Sequence, residues 1–74
     1  MEISSTYAGR LLGVTPATVH NYRTAGKLPG RPIQHGLRVF YVFELEHVLS
    51  FAAANNIRVS EYELRKVYSV YDAH

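Results

Sequence analysis

The stretch Gly13-Val-Thr-Pro-Ala-Thr-Val-His-Asn-Tyr-Arg-Thr-Ala-Gly26 (GVTPATVHNYRTAG) decides how the whole chain is read. Thr15 followed by Pro16 starts a helix: the hydroxyl can accept from a first-turn amide, and proline at the first helical position gives up an N–H that has no partner there anyway. The helix runs to about Ala25, with Gly26 closing it. Its apolar content is nearly confined to Val19 and Tyr22, three apart on one side. The remaining surface, Pro16, Ala17, His20, Asn21 and Thr24 with Thr18 and Arg23 on the flanks, is small, hydrogen-bonding and faintly basic. Such a helix is either merely solvated or built to lie against a polar surface.

Upstream, a short helix is expected from Thr6, its N-cap, to Leu12, with Tyr7, Ala8, Leu11 and Leu12 as its apolar stripe and Gly13 ending it. Two short helices joined by a turn of about three residues form a helix-turn-helix. The steric demands of that motif are met in sequence. Ala8 and Gly9 are small where the helices cross, Gly13 tolerates positive φ in the turn, and Leu12, Val14, Val19 and Tyr22 supply the shared core.

Downstream, KLPGRPIQHGLRVFY (27–41) holds two prolines and two glycines, which exclude a helix. Arg31–Gln34 and Leu37–Tyr41 are expected to pair around His35-Gly36 as a small hairpin. VFELEHVLSFAAANN (42–56) restores helical period through Leu45, Val48, Leu49 and Ala52. Ser60 and Glu63 suit a capping box for a last helix over about 60–72, with Leu64, Val67, Tyr68 and Tyr71 as its stripe. The expected fold is mainly α with a small β-hairpin: a winged helix-turn-helix with two further helices, in one domain (1–74) whose core spans about 3–55.

Composition sets the class. Seventy-four residues, 47% hydrophobic, allow one modest core. The absence of cysteine rules out disulfides and thiolate zinc sites and fits a reducing compartment. No apolar run approaches the ~20 residues of a membrane span, and the start lacks a basic-then-apolar leader, so a cytoplasmic protein is expected. The net charge of +2 is unevenly placed. Residues 1–38 hold Arg10, Arg23, Lys27, Arg31 and Arg38 against Glu2 alone, a balance of +4, whereas residues 39–74 balance at −2. A basic half beside an acidic half gives one face to a polyanion.

In a helix entering a major groove, outward residues near the N-terminus reach base edges. Asn21 can pair bidentately with adenine, the methyls of Ala17 or a threonine can meet a thymine methyl, and His20 can bond a base or a phosphate. Arg31 and Arg38 flank the expected His35-Gly36 tip, so the hairpin can lie over a neighbouring phosphate or minor groove. About four or five cationic contacts imply a modest affinity, with a log–log salt slope near −4. The last helix carries more aromatic surface than one stripe can bury. Tyr62, Val67, Tyr68 and Tyr71 are therefore expected to pack partly on the third helix and partly on a neighbouring subunit or another protein.

STYAGRLLGVTPATVHNYRTAGKLP (5–29) and RVFYVFELEHVL (38–49) resemble the small winged helix-turn-helix domains of the excisionase and MerR-like group. The resemblance covers roughly residues 3–52. It implies that Thr15, Pro16, Ala17, His20, Asn21, Arg23 and Thr24 face the major groove, with Lys27, Arg31 and Arg38 on the wing side. It further implies an excisionase-like recombination directionality factor that binds double-stranded DNA in tandem, bends it and directs an integrase. A compact transcriptional regulator of phage or mobile-element genes fits the same residues, and so does a protein-interaction adaptor or antirepressor that does not bind DNA. Catalysis has no motif to support it: His20, His35, His47 and His74 are scattered without metal-ligand spacing, and no nucleophile elbow, phosphate loop or carboxylate pair occurs. No metal, cofactor or small-molecule ligand is expected.

Overall fold

In the computed structural model, which describes residues 1–71, the chain order is β1 (Glu2–Ser4), α1 (Ser5–Leu12), α2 (Pro16–Thr24), β2 (Arg31–His35), β3 (Arg38–Glu44), α3 (Leu45–Ala54) and α4 (Glu61–Tyr71). The architecture is mixed: four helices and a three-stranded antiparallel sheet in the order β1-β3-β2. The expected mainly α fold with a lone hairpin is corrected by β1, which pairs Ile3 with Phe43 and Glu2 with Glu44. A two-stranded hairpin is marginal in water, and the third strand gives it a hydrophobic face to build on.

The sheet's two faces follow from register. Ile3 and Phe43 lie opposite each other on the inner face, and both are fully buried. The outer face carries Glu2, Arg31, Ile33, His35, Arg38, Phe40 and Val42. Phe43 thus fills the core, while Phe40 remains 49% exposed. Val42–Glu44 belong to β3 rather than to the start of the third helix, and α3 begins at Leu45 with no side-chain cap.

Helix α1 starts two residues earlier than expected. Its cap is Ser4, not Thr6, and the Ser4 hydroxyl accepts from the Tyr7 N–H at 3.3 Å. Gly13 closes α1 at φ 71°, where the N–H groups of both Gly13 and Val14 donate to the Gly9 carbonyl. Thr15 caps α2 as expected, its hydroxyl accepting from the Thr18 N–H. The connection is the three-residue turn Gly13–Thr15. A Cβ on Gly9 would stand 2.6 Å from the Val14 carbonyl oxygen, so the turn lies directly on α1 at the one residue without a side chain.

The buried core draws on every element except β2: Ile3, Ala8, Leu11, Leu12, Val19, Leu28, Phe43, Leu45, Val48, Ala52 and Val67. Leu28, in the loop after α2, is fully buried beyond the last turn of that helix. Tyr22 meets Phe51 of α3 with ring centroids 4.8 Å apart. The last helix packs chiefly on α1, not on α3. Its Val67 is fully buried, the Tyr71 ring meets Tyr7 edge-on, and the Tyr71 hydroxyl accepts from the Ser4 N–H at 3.0 Å. The expected end of α4 at residue 72 lies outside the described residues, as does His74. No helix among the described residues is long and apolar enough to cross a membrane.

Candidate nucleic-acid interface

Of the nine residues of α2, only Val19 is buried. Val19 points inward and Tyr22 is half-buried against α3, which fixes the helix's rotation and turns Pro16, Ala17, Asn21 and Thr24 outward into solvent. Thr15 is exposed beside them, and its hydroxyl is 3.1 Å from that of Thr18, so the first turn presents a small hydroxyl cluster. The Thr24 hydroxyl donates to the His20 carbonyl at 2.9 Å, which holds its methyl in one orientation.

His20 and Arg23 lie on the flank that meets the sheet. The His20 ring stands edge-on to Tyr41 at 5.9 Å and tilted to Phe43 at 6.3 Å. The Arg23 guanidinium lies over the Tyr41 ring, 3.6 Å from its centroid, and its Nε is buried without a hydrogen-bond partner among the described residues. Gly30 leaves room for this stack, because a Cβ there would come within 3.0 Å of Arg23 Cδ and 2.9 Å of Phe43. Both side chains are half-buried struts between α2 and the hairpin, and sequence spacing alone gave no sign of it.

The hairpin tip differs from expectation by one residue. His35 pairs with Arg38, so the two-residue loop is Gly36-Leu37 rather than His35-Gly36. Gly36 takes φ 63°, and Leu37 does not share the positive sign, the pattern of a type II′ hairpin turn. His35 and Arg38 flank this tip and are exposed.

Arg31 does not flank it. It sits at the base of the hairpin opposite Val42, and its Nε and Nη2 donate to the two carboxylate oxygens of Glu2 at 2.7 and 2.6 Å. That bidentate hydrogen bond holds the Glu2 carboxyl below its usual range and raises the guanidinium. The cations left for a polyanion on this side are Arg23, Lys27 and Arg38, of which Lys27 and Arg38 are exposed.

The expected contact set on α4 divides. Val67 and Tyr71 close the protein's own core and are corrected out of any external surface. Tyr62 and Tyr68 stay 65% and 44% exposed, joined by Val70 at 53%, with the Lys66 ammonium 4.7 Å from the Tyr62 ring centroid. No group of three His, Asp or Glu side chains among the described residues could hold a metal ion. Comparison of the chain with protein-family models, curated proteins and solved structures finds no match.

Proposed function

We propose that the protein binds double-stranded DNA as a winged helix-turn-helix, with α2 in the major groove and the β2–β3 hairpin over the adjoining backbone, and that it serves as an excisionase-like accessory factor in recombination. The observation that carries this reading is the spare side of α2. A helix that gives only Val19 to the core holds Pro16, Ala17, Asn21 and Thr24 exposed in one patch, short enough to let the helix sink between backbones. Asn21 supplies the bidentate donor–acceptor pair suited to adenine. Lys27 and Arg38 supply phosphate contacts beside it.

One such module touches few phosphates. With Arg31 held by Glu2, about three cations remain, and the log–log salt slope falls from the sequence expectation of about −4 to about −3. Specific occupancy at physiological salt then calls for a second contact, and Tyr62, Tyr68 and Val70 on α4 are the exposed aromatic and apolar groups suited to a neighbouring subunit or an integrase.

A gel shift on a mixed-sequence duplex at two salt concentrations tests the reading, comparing wild type with Asn21→Ala. Salt-sensitive binding that Asn21→Ala weakens, with an unchanged melting curve, supports it. Folded wild-type protein that leaves the duplex unshifted at low salt would overturn it. Arg23→Ala is the poorer probe, since it removes the stack on Tyr41 as well as a charge.

A further inference from the structure

We propose that Leu37, at the apex of the β2–β3 hairpin, is a wedge that enters the minor groove next to the α2 site and prises open a base step, so that binding bends the duplex. This rests on the DNA-binding reading above and adds to it the residue that does the bending.

Leu37 is 104% exposed, the highest value among the exposed large hydrophobics of the described residues. The fold makes no demand for leucine there. The turn's one conformational requirement, a positive φ, is met by Gly36, and the second loop position accepts a polar residue equally well. An isolated apolar side chain on a surface is ordinary. Its setting is what distinguishes this one. Leu37 stands between His35 and Arg38, which pair across the strands at the tip, and Val39 and Phe40 follow it at 55% and 49% exposure. The Gln34 side-chain amide donates to the Gly36 carbonyl at 3.3 Å and braces the loop. An apolar point with a guanidinium beside it matches the minor groove's two attractions, its negative potential and the stacked base step at its floor.

Distances agree. Helix α2 is fastened to the hairpin at Tyr41, and Leu37 is four residues further out, roughly 13 Å at the usual strand rise. Adjoining grooves are roughly 17 Å apart, half of one helical turn. Paired strands lie about 4.8 Å apart before their side chains are counted, and the minor groove of B-DNA is about 6 Å wide. The tip therefore enters only where the groove is spread, which is the distortion a wedge creates.

The test is ligase-catalysed circularisation of a mixed-sequence duplex of about 100 bp, shorter than the ~150 bp persistence length of DNA. Wild type, Leu37→Ser and Asn21→Ala are compared at concentrations that give equal occupancy in low-salt gel shifts. The expected result is that wild type promotes circles, that Leu37→Ser binds with little loss but forms about tenfold fewer circles, and that Asn21→Ala at matched occupancy still bends. The chain contains no tryptophan, so Leu37→Trp places a single reporter at the tip. Its water-exposed emission should be quenched on the duplex by stacking against bases. Leu37→Ser protein that circularises DNA as well as wild type, or a Leu37→Trp emission unchanged by bound DNA, overturns the wedge while leaving groove binding intact. Wild type that binds no DNA at all overturns both.

Discussion

Gly9→Ala puts the turn between α1 and α2 to the test. In an ordinary helix interior this change is favourable by about 1 kcal/mol, because alanine gives up less backbone entropy than glycine. Here the new methyl would lie 2.6 Å from the Val14 carbonyl oxygen and 3.4 Å from the Thr15 carbonyl carbon. The obstacle is backbone, so no rotamer relieves it, and overpacking of that kind costs about 3 kcal/mol at the upper end of its range. Backing the turn away also strains the Val14 N–H bond to the Gly9 carbonyl, now 2.9 Å long and worth about 1 kcal/mol. The balance is a loss of about 3 kcal/mol, most of the stability of so small a domain. Thermal unfolding by circular dichroism should therefore show a Tm lower by roughly 12–24 °C. Gly13 is the matched control. A methyl added there would meet nothing within 4 Å, but the residue holds φ 71°, so Gly13→Ala should cost about 1–2 kcal/mol, and Gly13→Asn should recover part of that loss. Gly9→Asn should recover none. A Gly9→Ala protein that melts at or above wild type would refute the close approach of turn and helix, and with it the reason α2 sits at its present angle.

Further outcomes follow from particular contacts. In the DNA-binding reading, Glu2→Gln frees Arg31, so affinity for a duplex should rise and its log–log salt slope steepen by about 0.9. Acid should do the same: the Glu2 carboxyl is held low by Arg31, so its pairing is complete above the ordinary carboxylate range and is lost as pH falls through the lowered folded value, which salt titrations at neutral and acidic pH would reveal. Tyr71→Phe removes the acceptor for the Ser4 N–H and should lower stability by about 1 kcal/mol in a denaturant titration, with Tyr7 packing retained. Val67→Ala should destabilise by about 2 kcal/mol, whereas Tyr62→Ala should leave the melting curve within about 0.5 kcal/mol of wild type, because Val67 is buried and Tyr62 is 65% exposed.

The helices were legible because each carries its own signal: Thr15-Pro16, Gly13, and the stripe from Leu45 to Ala52 all act within a few residues of chain. The sheet was not. β1 is three residues long, too short for a period to show, and its partner β3 lies some forty residues away. Val42–Glu44 fit the helical spacing that continues into α3, but pairing with β1 holds all three extended, and Val42 pairs with Arg31 of β2 as well. Missing β1 also hid what becomes of Arg31, since its carboxylate partner sits on that strand. The outward residues of α2 could be read from the positions of Val19 and Tyr22 alone. The duties of His20 and Arg23 could not, because the ring of Tyr41 reaches them only through the register of β3.

A helix that contributes one buried residue cannot be held in place by burial, so α2 depends on its edges. At its start the turn is seated on Gly9, at its far end Leu28 is drawn into the core, and along one flank Arg23 and His20 lean on Tyr41. Each of these contacts leaves the side chains of Ala17, Asn21 and Thr24 exposed. The same arrangement couples the hairpin to the helix: Tyr41 is at once a residue of β3 and the platform beneath Arg23. Flattening that platform with Tyr41→Leu should change how α2 and the Leu37 tip are set relative to each other more than it changes the stability of either. In the DNA-binding reading, such a protein keeps its salt-dependent affinity and loses its ability to circularise a short duplex, because groove entry and bending then no longer share one rigid frame.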